Sequence, residues 1–179
     1  MSSTRPAPAN VHPRLWAGLM LVAVLALAAC SSAPPRARAP DTAPPVSRPT
    51  AGVNPVRNDI ALYALSLLDT AYSWGGRGPA TGFDCSGLVS HVYGNAAGVK
   101  LAGSSVNLAQ MSRRIDPAQK QPGDLVFFNT LGSPNSHVGV YIGNGRFVHA
   151  SNPRTGVRVD LLSNRYYAQR FEGVHTLLD

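Results

Sequence analysis

Cysteine is nearly absent: the 179 residues hold two, Cys30 and Cys85. Their surroundings differ too much for a disulfide framework, and no Cys-x-x-Cys or His-Glu pattern marks a metal site. Acidic residues are also scarce, nine Asp and Glu against sixteen Lys and Arg. The excess of positive charge is unevenly placed. Residues 1–50 hold five Arg and one Asp, whereas residues 51–179 hold nine Arg and two Lys against seven Asp and one Glu. The second stretch is only mildly basic, which is not the footprint of a nucleic-acid binder, so no nucleic-acid partner is expected. No apolar run reaches the roughly 20 residues that cross a bilayer as a helix. No internal repeat is found, and the length fits one main domain with room for extensions.

What is present begins with a leader. Arg5, His12 and Arg14 precede an apolar run, Leu15–Ala29, that ends in Leu27-Ala28-Ala29-Cys30. Residues 1–29 therefore read as a secretory signal peptide, and their end resembles a bacterial lipobox. That resemblance implies cleavage before Cys30 and lipidation of its thiol. Acyl chains would anchor the chain stably, at about 0.8 kcal/mol for each buried methylene. By analogy with lipoprotein sorting, Ser31 after the cysteine implies delivery to the outer membrane. Residues 30–52 are rich in proline and almost free of large apolar residues. Such a segment cannot bury enough surface to fold and reads as an extended tether.

The folded domain is expected over residues 53–179, long enough for one core. A first helix opens near Pro55 and Asn58, with Ile60, Tyr63, Ala64, Leu67 and Leu68 on its apolar face. The loop Ala71–Phe83 carries four glycines and a proline. A second helix follows and stops at Gly94 or Gly98, and Ser105 is a candidate cap for a short third one. From Leu125 the period changes to that of strands: Leu125–Phe128, a hairpin over His137–Ser151, Val157–Leu161 and Phe171–Leu178. Helices first and an antiparallel sheet afterwards make the fold class α+β.

The chemistry centres on Gly82–Gly94, GFDCSGLVSHVYG. Leu88, Val89, Val92 and Tyr93 lie three, four, seven and eight residues after Cys85, the spacing of one helix face. Asp84 is placed to cap that helix. Cys85 then falls in the first turn, where unsatisfied N–H groups and the helix dipole favour a thiolate. A buried free cysteine is otherwise an inert small hydrophobe, so the reading turns on a histidine partner. The hairpin offers two. With a three-residue loop at 143–145, closed by a bulge at Gly145, opposed positions sum to 288 and His137 and His149 become diagonal neighbours on one face. With a two-residue Asn144-Gly145 turn they sum to 289, and the histidines fall on opposite faces. The catalytic reading thus expects the odd loop.

A cysteine at a helix start, a strand histidine and a second polar group orienting it is the arrangement for nucleophilic catalysis. His137 would take the Cys85 proton and later protonate the leaving amine, His149 would hold His137, and the Cys85 N–H would serve the oxyanion. A depressed Cys85 pKa and a Cys85–His137 ion pair are expected. The pieces AYSWGG, GFDCSGLVSHVYG, QPGDLVFF and HVGVYIGNGRFVHAS resemble, in order, the NlpC-type cysteine peptidases, which are papain-like bacterial peptidoglycan endopeptidases. The resemblance implies Cys85 as nucleophile, His137 as base and His149 as third residue. It also puts Tyr72 near the active site, with Asp84 and Ser86 flanking the nucleophile where the stem peptide binds. It implies no metal and no cofactor. The alternative on the same fold is a non-catalytic module that binds peptidoglycan or a regulator. His91, six residues beyond Cys85 on its helix, and His175 on the last strand read as structural.

Overall fold

The computed structural model describes residues 54–178. The leader, the tether and Cys30 lie outside them. The first helix, α1 (Pro55–Ser66), starts where the sequence supplies both a cap and a rigid first residue. The Asn54 side chain accepts from the Val56 N–H at 3.1 Å, and Pro55 occupies the position that needs no N–H donor. Two short strands, β1 (Arg77–Gly78) and β2 (Gly82–Phe83), pin the glycine-rich loop as a small antiparallel pair. The helix α2 (Cys85–Ala96) follows at once. A third helix, α3 (Ser105–Met111), is capped by Ser104, one residue before the expected Ser105.

The rest is a six-stranded antiparallel sheet in the order β3-β8-β4-β5-β6-β7. Its strands are β3 (Arg113–Ile115), β4 (Leu125–Phe128), β5 (His137–Gly143), β6 (Arg146–Ala150), β7 (Val157–Leu161) and β8 (Phe171–Thr176). Strand β3 and the short helix α4 (Arg165–Ala168) were not expected from the periodicity. This is the α+β arrangement of helices on an antiparallel sheet that the residue pattern calls for.

The sheet has apolar side chains on both faces. Leu125, Phe127, Val138, Val140, Val148, Ala150 and Val157 face α1 and α2, and join Ile60, Ala64, Leu88, Val89, Val92 and Tyr93 in the larger core. Val126, Phe128, Tyr141, Phe147 and Val174 point the other way, into a second core closed by Tyr167 of α4. Each fully buried Phe, Leu, Ile or Val contributes about 1.5–3 kcal/mol, so both cores are substantial. Strand β5 runs through the middle and serves both.

The hairpin corrects the expectation of a three-residue loop. Asn144 (φ 52°) and Gly145 (φ 69°) both adopt positive φ, and Gly143 pairs with Arg146, so the turn has two residues. Such a turn matches the right-handed twist of the strands it joins. On its own it would put the histidines on opposite faces. Between Gly143 and Tyr141, however, β5 carries one extra residue, Ile142, and the pairs beyond it are Tyr141 with Phe147 and Val140 with Val148. This bulge shifts the register by one. The sum of 288 is reached after all, by a bulge in the strand rather than by the length of the loop.

Candidate active site

The site forms where α2 begins, over the start of β5. Asp84 ends the extended segment and caps the helix: one carboxylate oxygen accepts from the Gly87 N–H at 2.6 Å and the Ser86 hydroxyl at 3.0 Å. The other accepts from the Gly75 N–H at 3.0 Å and ties in the loop that carries Tyr72 and Trp74. That loop lies against the helix so closely that a Cβ on Gly87 would sit 1.9 Å from the Gly76 carbonyl oxygen. Only glycine fits there, which accounts for the third residue of the Cys-Ser-Gly run.

A cavity of about 280 Å³ brings together Tyr72, Asp84, Cys85, Ser86 and His137, with Trp74 and Leu131 exposed on its rim. Five of the six residues expected around the site in the folded domain thus share one groove. The sixth, His149, is fully buried behind His137. His137 Nε2 and His149 Nδ1 are 2.7 Å apart, with their rings nearly perpendicular. Gly139 makes the approach possible. Continuing the register places it opposite His149, and a Cβ there would lie 2.7 Å from the Phe147 ring and 3.2 Å from His149 Cβ. A second cavity, of about 470 Å³, also borders His137 and is lined by Asn152, Arg158, Asp160 and Tyr166 among others.

The chain of hydrogen bonds does not end at His149. Its Nε2 lies 2.9 Å from Asp160 Oδ2, and Asp160 Oδ1 accepts from Arg158 at 2.9 Å. The β6–β7 register sets His149 opposite Arg158, which puts Arg158 and Asp160 on the histidine face. Sequence reasoning located β7 but not this pair. The signal was the alternation in Val-Arg-Val-Asp-Leu, which sends Arg158 and Asp160 to one side.

Burial at the site runs against the expected thiolate–imidazolium pair. Burial pushes the Cys85 thiol up to about 11, against hydrogen bonds from the N–H groups of Val138, Ser86 and Cys85 itself that favour the anion. Asp84 adds to the rise through its negative charge. Burial likewise lowers His137 to about 3, helped by the neighbouring His149. Proximity to a helix start is legible in a sequence; the desolvation that outweighs it is not. Burial also raises the Tyr72 phenol, with Cys85 and Asp84 adding to it. Taken one at a time, the two groups thus favour a neutral thiol and a neutral imidazole. Each shift opposes a lone charge in a dry site. Moving the proton from sulfur to imidazole creates two opposite charges side by side, whose attraction offsets that penalty.

Among the described residues no group of three or more His, Cys, Asp or Glu side chains is arranged to hold a metal ion. The other two histidines among the described residues have structural partners. His91 meets the Tyr63 hydroxyl at 3.2 Å, and His175 meets the Ser112 hydroxyl at 3.0 Å.

Comparison with known proteins gives a consistent picture. The model of the NlpC/P60 family matches residues 69–176. The "Probable endopeptidase p60" of Listeria grayi is 44% identical over 115 residues, covering 63% of this chain and 22% of its own. The "Murein DD-endopeptidase MepH" of Escherichia coli is 37% identical over 112 residues, covering 60% of this chain and 41% of its own. The chain therefore spans well under half the length of these two relatives. Among solved structures, the NlpC/p60 domain of the peptidoglycan hydrolase SagA superposes with a TM-score of 0.59 at 30% identity, covering 70% of this chain and all of that one.

Proposed function

The chain belongs to the NlpC/P60 family, and from that premise we propose that it is a peptidoglycan endopeptidase, a cysteine hydrolase of an amide bond in the stem peptide. One observation carries the reading: the thiol at the start of α2 shares a groove with His137, whose Nε2 is bonded to a second buried histidine. A thiol, a base and a group orienting the base are the minimum for nucleophilic acyl transfer. His137 takes the Cys85 proton as sulfur attacks the carbonyl carbon. The Cys85 backbone N–H, at a helix start, faces the developing oxyanion. His137 then protonates the leaving amine, and water releases the acyl group by the reverse sequence.

The bond is one made by the diamino acid of the stem. The crosslink from D-Ala to meso-diaminopimelate is favoured over the bond from γ-D-Glu to diaminopimelate, in keeping with the relative named a DD-endopeptidase. The leader and proline-rich segment support a lipoprotein anchored through Cys30, facing the periplasm from the outer membrane.

Mass spectrometry of muropeptides digested with the purified protein tests this. Loss of crosslinked dimers is expected, with none for Cys85→Ala. Shortened monomers would move the cut to the γ-D-Glu bond. Binding to peptidoglycan with no new amines released over long incubation would make the domain a binding module instead.

A further inference from the structure

The hydrogen-bond chain behind His137 ends on a carboxylate that the triad does not use. We propose that Asp160 is a positioning residue: it holds the His149 proton on Nε2 and, through the His149–His137 hydrogen bond, leaves the Nδ1 lone pair of His137 as the base. The inference rests on the endopeptidase reading above.

Donors and acceptors must alternate along this chain. A neutral imidazole has one N–H and one lone pair. Between His137 Nε2 and His149 Nδ1, 2.7 Å apart, one nitrogen must donate and the other accept. If His149 donated from Nδ1, its Nε2 would present a lone pair to Asp160 Oδ2 at 2.9 Å, two acceptors in contact. An ionised Asp160 forbids that arrangement. Its second oxygen is occupied by Arg158, so the carboxylate cannot swing away without breaking that ion pair. His149 therefore donates from Nε2 and accepts at Nδ1, and His137 donates from Nε2. The proton-free nitrogen of His137 is then Nδ1, the one not spent on His149. A doubly protonated His149 would reverse the bond between the rings and put the His137 proton on Nδ1, where it blocks the base.

The surroundings disfavour that reversed state. Burial lowers the His149 pKa, against the opposing pull of the Asp160 hydrogen bond and charge, and Arg158 lowers it further. Burial works to raise the Asp160 pKa, but the His149 hydrogen bond and the Arg158 guanidinium together bring it below the usual value. The groups facing the pair are Arg158 on β7, His137 on β5 and Tyr167 on α4, whose hydroxyl lies 3.4 Å from His149 Nε2. The rings of Phe147 and Tyr167 pack against His149.

Asp160→Asn is the informative change, because it turns one of the two accepting oxygens into an NH2 donor that meets either the His149 N–H or Arg158. In the full chain, turnover should fall about 10- to 100-fold, by analogy with removing the partner that orients a metal-bound histidine, with little change in KM. Asp160→Glu should recover part of the loss. Nitrogen-15 spectra of histidine-labelled wild type at neutral pH should show His137 and His149 both protonated on Nε2, and Asp160→Asn should disturb that pattern. Wild-type turnover in Asp160→Asn, or a His137 proton on Nδ1 in the wild type, would overturn the assignment. If Asp160→Asn does not fold, the wild-type spectrum alone decides. A wild type that turns over no peptidoglycan removes the endopeptidase reading, while the spectrum still tests the assigned tautomers.

Discussion

His137 and His149 meet at 2.7 Å because β5 holds one residue more than β6 between their pairing and the turn. The two-residue turn sets one register, and the bulge at Ile142 exchanges it for the other. The opposite face of the sheet is filled by Val138, Val140, Val148 and Ala150, so the shifted register is also the one that buries them.

The close approach depends on the missing side chain at Gly139. Gly139→Ala would press a methyl group against the Phe147 ring, the Val148 carbonyl and His149. Overpacking of this kind costs about 1–3 kcal/mol. Thermal unfolding should show that loss, and turnover should drop further than stability, because the displaced side chain includes His149. Unchanged activity would mean that the two imidazoles need no such contact.

The resting thiol should behave as a protonated one. With its pKa raised to about 11, the thiolate fraction at Cys85 grows about tenfold for each pH unit across the neutral range. In a Cys30→Ala chain, where Cys85 is the sole thiol, iodoacetamide labelling should accelerate steadily from pH 6.5 to 9. A plateau below pH 8 would restore the ion pair as the resting state.

Acid should destabilise the domain through His137. The unfolded chain binds a proton at this residue near pH 6.5, whereas the folded one resists until about 3. Stability from this source is thus complete above pH 6.5 and falls as pH drops through that window, by about 1.4 kcal/mol per unit for one proton. His149 and His175, also lowered chiefly by burial, act in the same direction. Urea midpoints between pH 7.5 and 4 should fall, and less so for His137→Asn. Equal slopes would show that folding leaves the His137 pKa where it is in the unfolded chain.

Much of this was legible in the residues. The apolar face from Leu88 to Tyr93 gave α2 its start and direction, Asp84 gave its cap, and the alternation around Gly143–Gly145 gave the hairpin. These are local signals, spelled out within a few residues. Other features depend on distant partners. The bulge at Ile142 answers the packing of both faces of β5. Asp160 reaches His149 only through the β6–β7 register, set across a loop whose length alone does not fix the pairing. The Cys85 ionisation turns on how much protein covers the sulfur, and the nearby sequence records only the helix end.

Val138 and His137 are consecutive on β5, and the backbone of one favours the Cys85 thiolate while the ring of the other lines the same groove. Sulfur rides on a helix, whereas its hydrogen-bond donor and its base ride together on one length of strand. If the helix slides on the sheet, both partners are lost at the same moment, and when it returns both come back in step. Keeping one contact while dropping the other would require β5 to deform between two consecutive residues.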